Sequence, residues 1–307
     1  MNTAAGCLRA QIQELRFLPP LPAAAPAILR VFADEEADIE AVERAVALEP
    51  GLAARIVGLA NSAYYGNQGR IFTIRAAIIK ALGLKLVKDL ALSLLMAQSF
   101  RLRAGRAFRP EAFWLRAVTV AKAAALLAGA ARPCAGKALG RRPKNAANAE
   151  GAAQAYLGGL LHQLGIAALA HLAPEEMDQV LLEVAARQGA SLASLEEARF
   201  GMSHQSTGVL LARKWHLPEE VISVIGHYHD PDYDGHHGKL VSVVHAACLL
   251  HEALEQGETT MQFHEHSTSR WPELGLDAER VGGVLSGLRQ EQEGLRLMAA
   301  AMSGAEP

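Results

Sequence analysis

Cysteine is scarce in this sequence, and the few cysteines form no pattern. Cys7, Cys134 and Cys248 are the three present, and no two of them stand in a Cys-x-x-Cys spacing. An odd number of widely separated cysteines argues against a disulfide framework and against a structural zinc knuckle. We therefore expect a reducing compartment and place the protein in the cytoplasm.

Aromatic residues are also few, at 5% of the chain, although half of all residues are hydrophobic. The core must then be built mainly from Ala, Leu, Val and Ile, which favours closely packed helices over sheets. Apolar residues recur at helical spacing almost throughout, and no alternating stretch bounded by turn residues occurs. The sequence predicts an all-α protein.

No excess of one charge sign and no long apolar run is present. Thirty basic and 32 acidic residues leave a formal net charge of -2, so no global field favours nucleic acid or an anionic membrane as a partner. Lys122 interrupts the alanine-rich stretch, and Lys85, Lys88 and Asp89 interrupt the stretch before Phe100. We expect a soluble protein with no membrane span.

A first helical unit is predicted over residues 1–107. Asp38 and Thr73 are placed to cap helices, Pro50 suits a first helical turn, and Gly83 is expected to turn the chain into a further helix. The third helix of this unit is predicted to run through Ile74, Ile78, Ile79 and Leu82.

The segment 101–109 holds Arg101, Arg103, Arg106 and Arg109 and no acid. We interpret it as a solvated linker between two units. The alternative is a phosphate-binding stripe, which together with the basic residues from Arg132 to Lys144 would make a nucleic-acid-binding regulator.

The rest of the chain divides into a second helical unit, 108–257, and a C-terminal part, 258–307. Residues 131–150 are rich in Ala, Gly, Pro, Asn and basic residues, so we expect a mobile loop there. Asp277 can cap a final helix, which follows a polar segment and is predicted to pack on the second unit.

Motifs spread over roughly residues 15–250 carry a family resemblance. In the first unit they are Leu18-Pro19-Pro20-Leu21-Pro22, Glu49-Pro50-Gly51-Leu52, Leu59-Ala60-Asn61-Ser62-Ala63-Tyr64-Tyr65-Gly66, and Ala76-Ala77-Ile78 with Leu82-Gly83. In the second they are Phe113-Trp114, Gly159-Leu160-Leu161-His162, Ser203-His204 with Gly208, Trp215-His216-Leu217-Pro218 and His229-Asp230-Pro231. Their combination and order resemble the HDOD domain family of bacterial signalling proteins, which is related to the HD metal-dependent phosphohydrolases.

The resemblance implies an N-terminal helical bundle packed against an HD-like helical bundle, and a role in signalling or regulation. An HD enzyme would place its first histidine ligand where Arg116 stands, His-Asp where His162-Gln163 stands, and its last aspartate where Cys248 stands. His204 and His229 are further candidate ligands. The resemblance thus implies a degenerate pocket.

Loss of the carboxylates matters because two divalent cations held close together need anionic ligands. If Arg116 points inward, its charge and a divalent cation about 4 Å away repel by roughly 8 kcal/mol at an effective dielectric of 20. We expect no bound metal and no cofactor, and we interpret His162 as a hydrogen-bonded core residue. The metal alternative is a mononuclear site of His162, His204 and His229, with or without the Cys248 thiolate.

Two further groups are candidate binding residues. Arg116 with Gln163 could hold an anion such as a nucleotide phosphate. Asn61, Ser62, Tyr64 and Tyr65 are polar or aromatic within an otherwise apolar unit. They form either a ligand or partner surface or, for Asn61 and Ser62, the bonds that close a helix end.

The leading hypothesis is a catalytically inactive relative of the HD phosphohydrolases that regulates by binding a signalling protein or a small ligand, near the groove between its helical units. The main alternative is a metal-dependent phosphohydrolase acting on a nucleotide or cyclic dinucleotide. A nucleic-acid-binding regulator is the weaker alternative. The sequence predicts neither the oligomeric state nor the identity of the partner.

Overall fold

A computed structural model of the chain describes residues 18–65, 70–130, 144–187, 189–257 and 274–304, without the side chains of 144–150. Within these ranges every regular element is helical and no strand occurs. The all-α prediction is confirmed.

Among its described residues, the first predicted unit contains five α-helices, one 3₁₀ turn and one π-helical turn. They are α1 (Ala25–Ala33), α2 (Ile39–Ala47), α3 (Pro50–Ala60), a 3₁₀ turn (Ala63–Tyr65), α4 (Ile74–Ala77), a π-helical turn (Ile78–Leu82) and α5 (Gly83–Gln98).

Side chains cap these helices as the sequence predicts. The Asp38 carboxyl accepts a hydrogen bond from the Ala41 amide at 2.8 Å, and the Thr73 hydroxyl accepts one from the Ala76 amide at 3.1 Å. Each satisfies a backbone donor that has no partner inside the helix. Pro50 occupies the first turn of α3, where its missing amide hydrogen costs nothing.

The predicted third helix is not continuous. It changes from α4 into the π-helical turn at Ile78, and Gly83 then enters α5 with φ 76°. Ile74, Ile78 and Leu82 are buried, but Ile79 is 64% exposed. Ile79 therefore lies outside the buried face, because the wider turn breaks the regular helical spacing.

In the parts of the chain that the structure describes, the second predicted unit contains eight further helices, and the C-terminal part contains two. The second unit contains α6 (Pro110–Ala130), α7 (Lys144–Leu161), α8 (Leu164–Leu172), α9 (Pro174–Ala186), α10 (Leu192–Phe200), α11 (His204–Lys214), α12 (Glu219–His227) and α13 (Gly238–Gln256). The C-terminal pair is α14 (Ala278–Gln290) and α15 (Gln292–Ser303).

The predicted loop over residues 131–150 lies partly outside the described residues, which resume at 144. From Lys144 onward the chain is helical, so the predicted end of the loop at 150 is wrong. Residues 144–150 contain three alanines and no proline. They can continue the helix that leads to the buried part of α7.

Helix α6 lies at the centre of the molecule and packs against α7, α13, α14 and α15. Two stretches, Pro110–Ala130 and Gly151–Leu172, are long and apolar enough to cross a membrane by length and composition alone. In an apolar 18-residue window of each, 56% and 83% is buried inside the protein. Packing against neighbouring helices accounts for their composition.

The C-terminal pair joins the two predicted units. Asp277 caps α14 by accepting from the Arg280 amide at 3.0 Å, as predicted, but α14 is not the final helix because α15 follows it. Helix α15 packs against α6 of the second unit and also against α5 and α3 of the first. One hydrophobic core extends from Leu18 to Met302.

The arginine-rich linker is held in place by one carboxylate. Asp178, on α9, accepts hydrogen bonds from the backbone amides of Arg106, Ala107 and Phe108 at 2.9, 2.7 and 2.8 Å. These three bonds hold the pKa of Asp178 below its usual range. The four arginines of the segment are exposed, as expected for a solvated linker.

A close helix crossing sets the position of the histidine-bearing elements. Helices α8 and α11 pack tightly, and a Cβ atom on Gly208 would lie 2.9 Å from the backbone nitrogen of Gly165. Only glycine fits there. This contact brings the N-terminus of α11, which begins at His204, against the start of α8 that follows His162 and Gln163.

Candidate functional site

The predicted pocket residues come from five helix segments that meet around Tyr228. Arg116 lies on α6, His162 and Gln163 lie between α7 and α8, His204 begins α11, Tyr228 and His229 follow α12, and Cys248 lies on α13. We call this set, with Glu196 and Glu252, the histidine pocket.

Tyr228 is the common contact of this pocket, although the sequence analysis did not single it out. Its ring lies edge-on to His162 with 4.9 Å between ring centroids, and 3.9 Å from the ring of His229. Its hydroxyl lies 3.4 Å from His204 Nε2, and Gln163 bonds to it through its side chain. Tyr228 is 1% exposed. Its only sequence signal was its position beside His229.

His162 is a buried, neutral histidine. It is 1% exposed, and its Nδ1 lies 2.6 Å from the carbonyl oxygen of Gly159. A carbonyl can only accept, so Nδ1 carries the proton. Burial, and then the charge of Arg116, lower the pKa of His162 well below its usual range. Nε2 is left as a buried lone pair without a hydrogen-bond partner among the described residues.

His204 is oriented by a buried carboxyl group. Both its backbone amide and its Nδ1 lie within hydrogen-bond distance of Glu196 Oε2, at 2.7 and 2.6 Å, and Glu196 is 0% exposed. A carboxyl group on one ring nitrogen is how many metal-binding histidines are oriented. Nothing in the sequence linked Glu196 to His204, because the pairing depends on how α10 packs on α11.

The second nitrogen of His204 faces His229. The two Nε2 atoms lie 3.1 Å apart, so a single proton is shared between them. Burial, followed by His204 and Arg116, lowers the pKa of His229 to about 4. His229 is therefore neutral near pH 7, and Glu196, His204 and His229 form a continuous row of hydrogen-bond contacts.

Arg116 points into the pocket and forms an ion pair there. Its guanidinium donates to Glu252 Oε1 at 2.9 Å, and its side chain is 23% exposed. It also bonds to Cys248. The same charge lowers the pKa of His251 to about 4, second to burial. A fixed cation therefore occupies this end of the pocket.

Cys248 is a protonated thiol and not a thiolate. Burial raises its pKa to about 12, and Arg116 offsets only part of that rise. A metal ligand must be deprotonated, so a cation bound by Cys248 would have to displace the proton of this buried thiol.

The side chains in the pocket do not fit a dinuclear metal centre. Arg116 is a cation, Gln163 is neutral, and Cys248 keeps its proton. In the described parts of the chain, no group of three or more His, Cys, Asp or Glu side chains is arranged to hold a metal ion. The histidines that could bind one cation are His204 and His229, whose Nε2 atoms face each other.

The predicted anion site of Arg116 and Gln163 is engaged in contacts within the protein. Arg116 pairs with Glu252, and Gln163 bonds to Tyr228. An anion bound by these two side chains would have to displace Glu252, which is exposed at 45% of its side chain.

Asn61 closes a helix end, as one of the two alternatives predicted. Its side chain donates to the carbonyls of Val57 and Ile71 at 2.9 and 2.8 Å and accepts from the Ile71 amide at 2.8 Å. The Ser62 hydroxyl is buried and has no partner among the described residues. Tyr64 and Tyr65 stack edge to face and line a cavity that contains none of the histidines.

Comparisons with known proteins agree with this fold. A protein from Marinobacter aquaeolei VT8, provisionally named a signal transduction protein, superposes with a TM-score of 0.73 at 26% identity, covering 97% of this chain and 66% of that one. An HDOD domain protein of unknown function from Geobacter sulfurreducens superposes with a TM-score of 0.69 at 21% identity, covering 98% of each chain. A protein from Shewanella amazonensis SB2B, provisionally named a phosphohydrolase, has a TM-score of 0.67 at 22% identity, covering 98% of this chain and 99% of that one.

Sequence comparison agrees as well. A protein of Treponema pallidum (strain Nichols), named as uncharacterized, is 26% identical over 248 residues, which make up 79% of this chain and 43% of that protein. The chain thus spans less than half the length of this relative. The sequence model of the HDOD domain matches residues 18–231. This match confirms the resemblance seen in the motifs, and because it covers more than half of the chain, the protein belongs to the HDOD domain family.

Proposed function

We propose that this protein is a non-catalytic regulator in signal transduction, which acts by binding a protein partner or a small ligand through its HDOD domain. The observation that carries this proposal is the Arg116–Glu252 ion pair, 2.9 Å long, inside the pocket that corresponds to the metal site of HD enzymes.

Electrostatics support the proposal. The guanidinium is compensated by Glu252 and lowers the pKa of His162, His229 and His251. A divalent cation in the pocket would have to compete with this guanidinium for the carboxylate of Glu252, and Gln163 and Cys248 supply no carboxylate to offset its charge. The histidine pocket is therefore better suited to hold its own side chains together than to activate water.

A metal-dependent phosphohydrolase is the second candidate, and one observation favours it. Glu196 orients His204, whose Nε2 lies 3.1 Å from that of His229, and two such nitrogens can bind one cation. A single metal held this way could polarise a phosphoester.

Metal content and turnover separate the two candidates. The chain would be purified without a histidine tag, its metal content measured by mass spectrometry, and a panel of nucleotides and cyclic dinucleotides tested for hydrolysis with and without Mn²⁺. We expect well under one metal per chain and no turnover.

The matched pair for this experiment is His204→Ala, inside the pocket, and His236→Ala, on the exposed segment before α13. One metal per chain together with hydrolysis that His204→Ala abolishes and His236→Ala retains would overturn the proposal and support the hydrolase.

A further inference from the structure

A cavity with a mainly apolar wall and a few charged side chains lies between the two predicted units, away from the histidine pocket. It is lined by α5, α6, the 3₁₀ turn and α15, and has a volume of about 420 Å³. A neighbouring cavity of about 390 Å³ shares Leu84, Lys85, Asp89 and Tyr156 with it. Volumes of this size are typical of sites for small organic ligands. We call the two together the lysine cavity.

Asp89 is a buried carboxyl group on the wall of both cavities. It is 7% exposed, yet within the described ranges no protein group lies in hydrogen-bond or ion-pair contact with it. Buried carboxyl groups are costly unless they are paired. Burial raises the pKa of Asp89 to about 7, against the opposing effect of Lys85, Lys122 and Lys88. A ligand that brings N–H donors to this carboxyl would supply the missing partner.

One lysine of the cavity is available to an anion. Lys122 is paired with Glu291 at 2.8 Å, and Lys88 donates to the carbonyl oxygen of Asp34 at 2.7 Å. Lys85, one helical turn from Asp89 on α5, is exposed and forms no ion pair with the described residues. The cavity thus presents an unpaired carboxyl at its wall and an unpaired ammonium nearby.

Apolar and aromatic side chains form the rest of the wall. Tyr156 is buried with its hydroxyl 3.0 Å from that of Ser93, and Leu295 and Met298 face it from α15. Helix α15 lies close to Tyr64 at Gly294, which has no side chain. A Cβ atom at this position would lie 3.2 Å from the Tyr64 ring. Such walls can pack against the aromatic ring or the aliphatic chain of a ligand that has a polar group at each end.

We propose that the lysine cavity binds a small ligand that carries paired N–H donors at one end, placed on Asp89, and an anionic group at the other, placed near Lys85. This inference deepens the proposed function, because it assigns a ligand class and a position to the regulatory input. Two sources share the chemistry: a guanine mononucleotide, through its N1–H and N2–H edge and its phosphate, and a basic amino acid, through its guanidinium and its carboxylate.

Isothermal titration of the full chain with three probes tests the proposal. The probes are 5′-GMP, L-arginine and 5′-AMP, whose base has an acceptor beside its donor and therefore cannot give Asp89 two N–H bonds. We expect saturable binding of GMP or of arginine, identifying the source, and at least tenfold weaker binding of AMP.

Two cavity variants and one control make the result specific. Asp89→Asn should weaken binding at least tenfold, because hydrogen bonds to a charged group are worth more than neutral ones. Lys85→Gln, an exposed change that leaves the core intact, should weaken it about fivefold. Lys80→Gln, on the exposed side of the preceding turn, should leave affinity unchanged.

The inference is overturned if none of the probes binds, or if a bound probe keeps its affinity in both Asp89→Asn and Lys85→Gln. This outcome is independent of the metal and hydrolysis assays, which test the histidine pocket alone. Binding that depends on Asp89 and Lys85 supports the ligand site whatever those assays show.

Discussion

The histidine pocket and the lysine cavity differ in how their charges are compensated. In the pocket, Arg116 pairs with Glu252 and the ring of His204 with Glu196. In the cavity, Asp89 is buried and Lys85 exposed, and neither has an ion-pair partner in the described part of the chain. A pocket that has neutralised its own charges has little electrostatic free energy to offer a ligand, whereas unpaired charges beside a cavity can still be satisfied by one.

Restoring ligand chemistry to the histidine pocket should produce the largest effect. Arg116→His, Gln163→Asp and Cys248→Asp together replace a cation and two neutral groups with a histidine and two carboxylates. Removing the guanidinium also frees the Glu252 carboxylate, which is paired with it in the natural chain. We expect the triple variant to bind Mn²⁺ stoichiometrically, as measured by titration.

The control for this prediction keeps the scaffold and changes one charge only. Arg116→Met should give a folded protein that binds no more Mn²⁺ than the natural chain, since the carboxylates are still missing. A triple variant that folds but binds no Mn²⁺ would contradict the view that these three positions alone separate the pocket from a metal site.

Removing the buried carboxyl group that pairs with His204 should produce the next largest effect, a loss of stability. Glu196→Ala removes the partner of both the His204 amide and its Nδ1 and leaves a buried void, so we expect a loss of about 3 to 5 kcal/mol in the free energy of unfolding. Chemical denaturation measures it. Glu197→Ala, exposed on the same helix, should change stability by less than about 0.5 kcal/mol; equal effects would show that Glu196 is not the critical partner.

Asp89→Asn in the lysine cavity should have a smaller effect of opposite sign. Burial raises the pKa of Asp89 in the folded protein to about 7, above the usual value for an aspartic acid, so the folded state binds the extra proton and the natural chain loses stability as pH rises from about 4 to 7. The variant should gain stability relative to it at pH 8, by no more than the roughly 4 kcal/mol that a shift of about three pKa units corresponds to, and the gain should disappear near pH 4.

Thermal unfolding of both proteins between pH 4 and 8 measures this dependence. A gain that is the same at every pH would mean that burial of the charge is not its cause, and a loss at pH 8 would mean that the ionised carboxyl stabilises the fold through the neighbouring lysines.

Much of the local structure could be predicted, because it depends on contacts a few residues apart. The caps at Asp38, Thr73 and Asp277 each bond to an amide three residues ahead, which is a pattern visible in the sequence. Two predictions depended on a local pattern that the chain does not follow. The predicted third helix is interrupted by a π-helical turn that contains Ile79, and residues 144–150 are helical despite a composition typical of a loop.

Most of the histidine pocket was also predicted, since motifs carry its members in a known order. Glu196, Tyr228 and Glu252 were missed for a common reason. Each acts through a partner on another helix, such as Glu252 on Arg116, 136 residues away, and no spacing in the sequence marks such a pair.

The sequence by itself determined the all-helical class, the HDOD family and the residues at the corresponding pocket positions, because these follow from local periodicity and from motifs. Only the tertiary structure decided that Arg116 points inward to Glu252, that His204 is held by Glu196 and faces His229, and that Asp89 lines a cavity without a partner. The physical reason is that the burial and the ion pairing of a side chain depend on how helices distant in the sequence pack together. Burial and pairing in turn set the protonation state of each group and whether its charge has a partner.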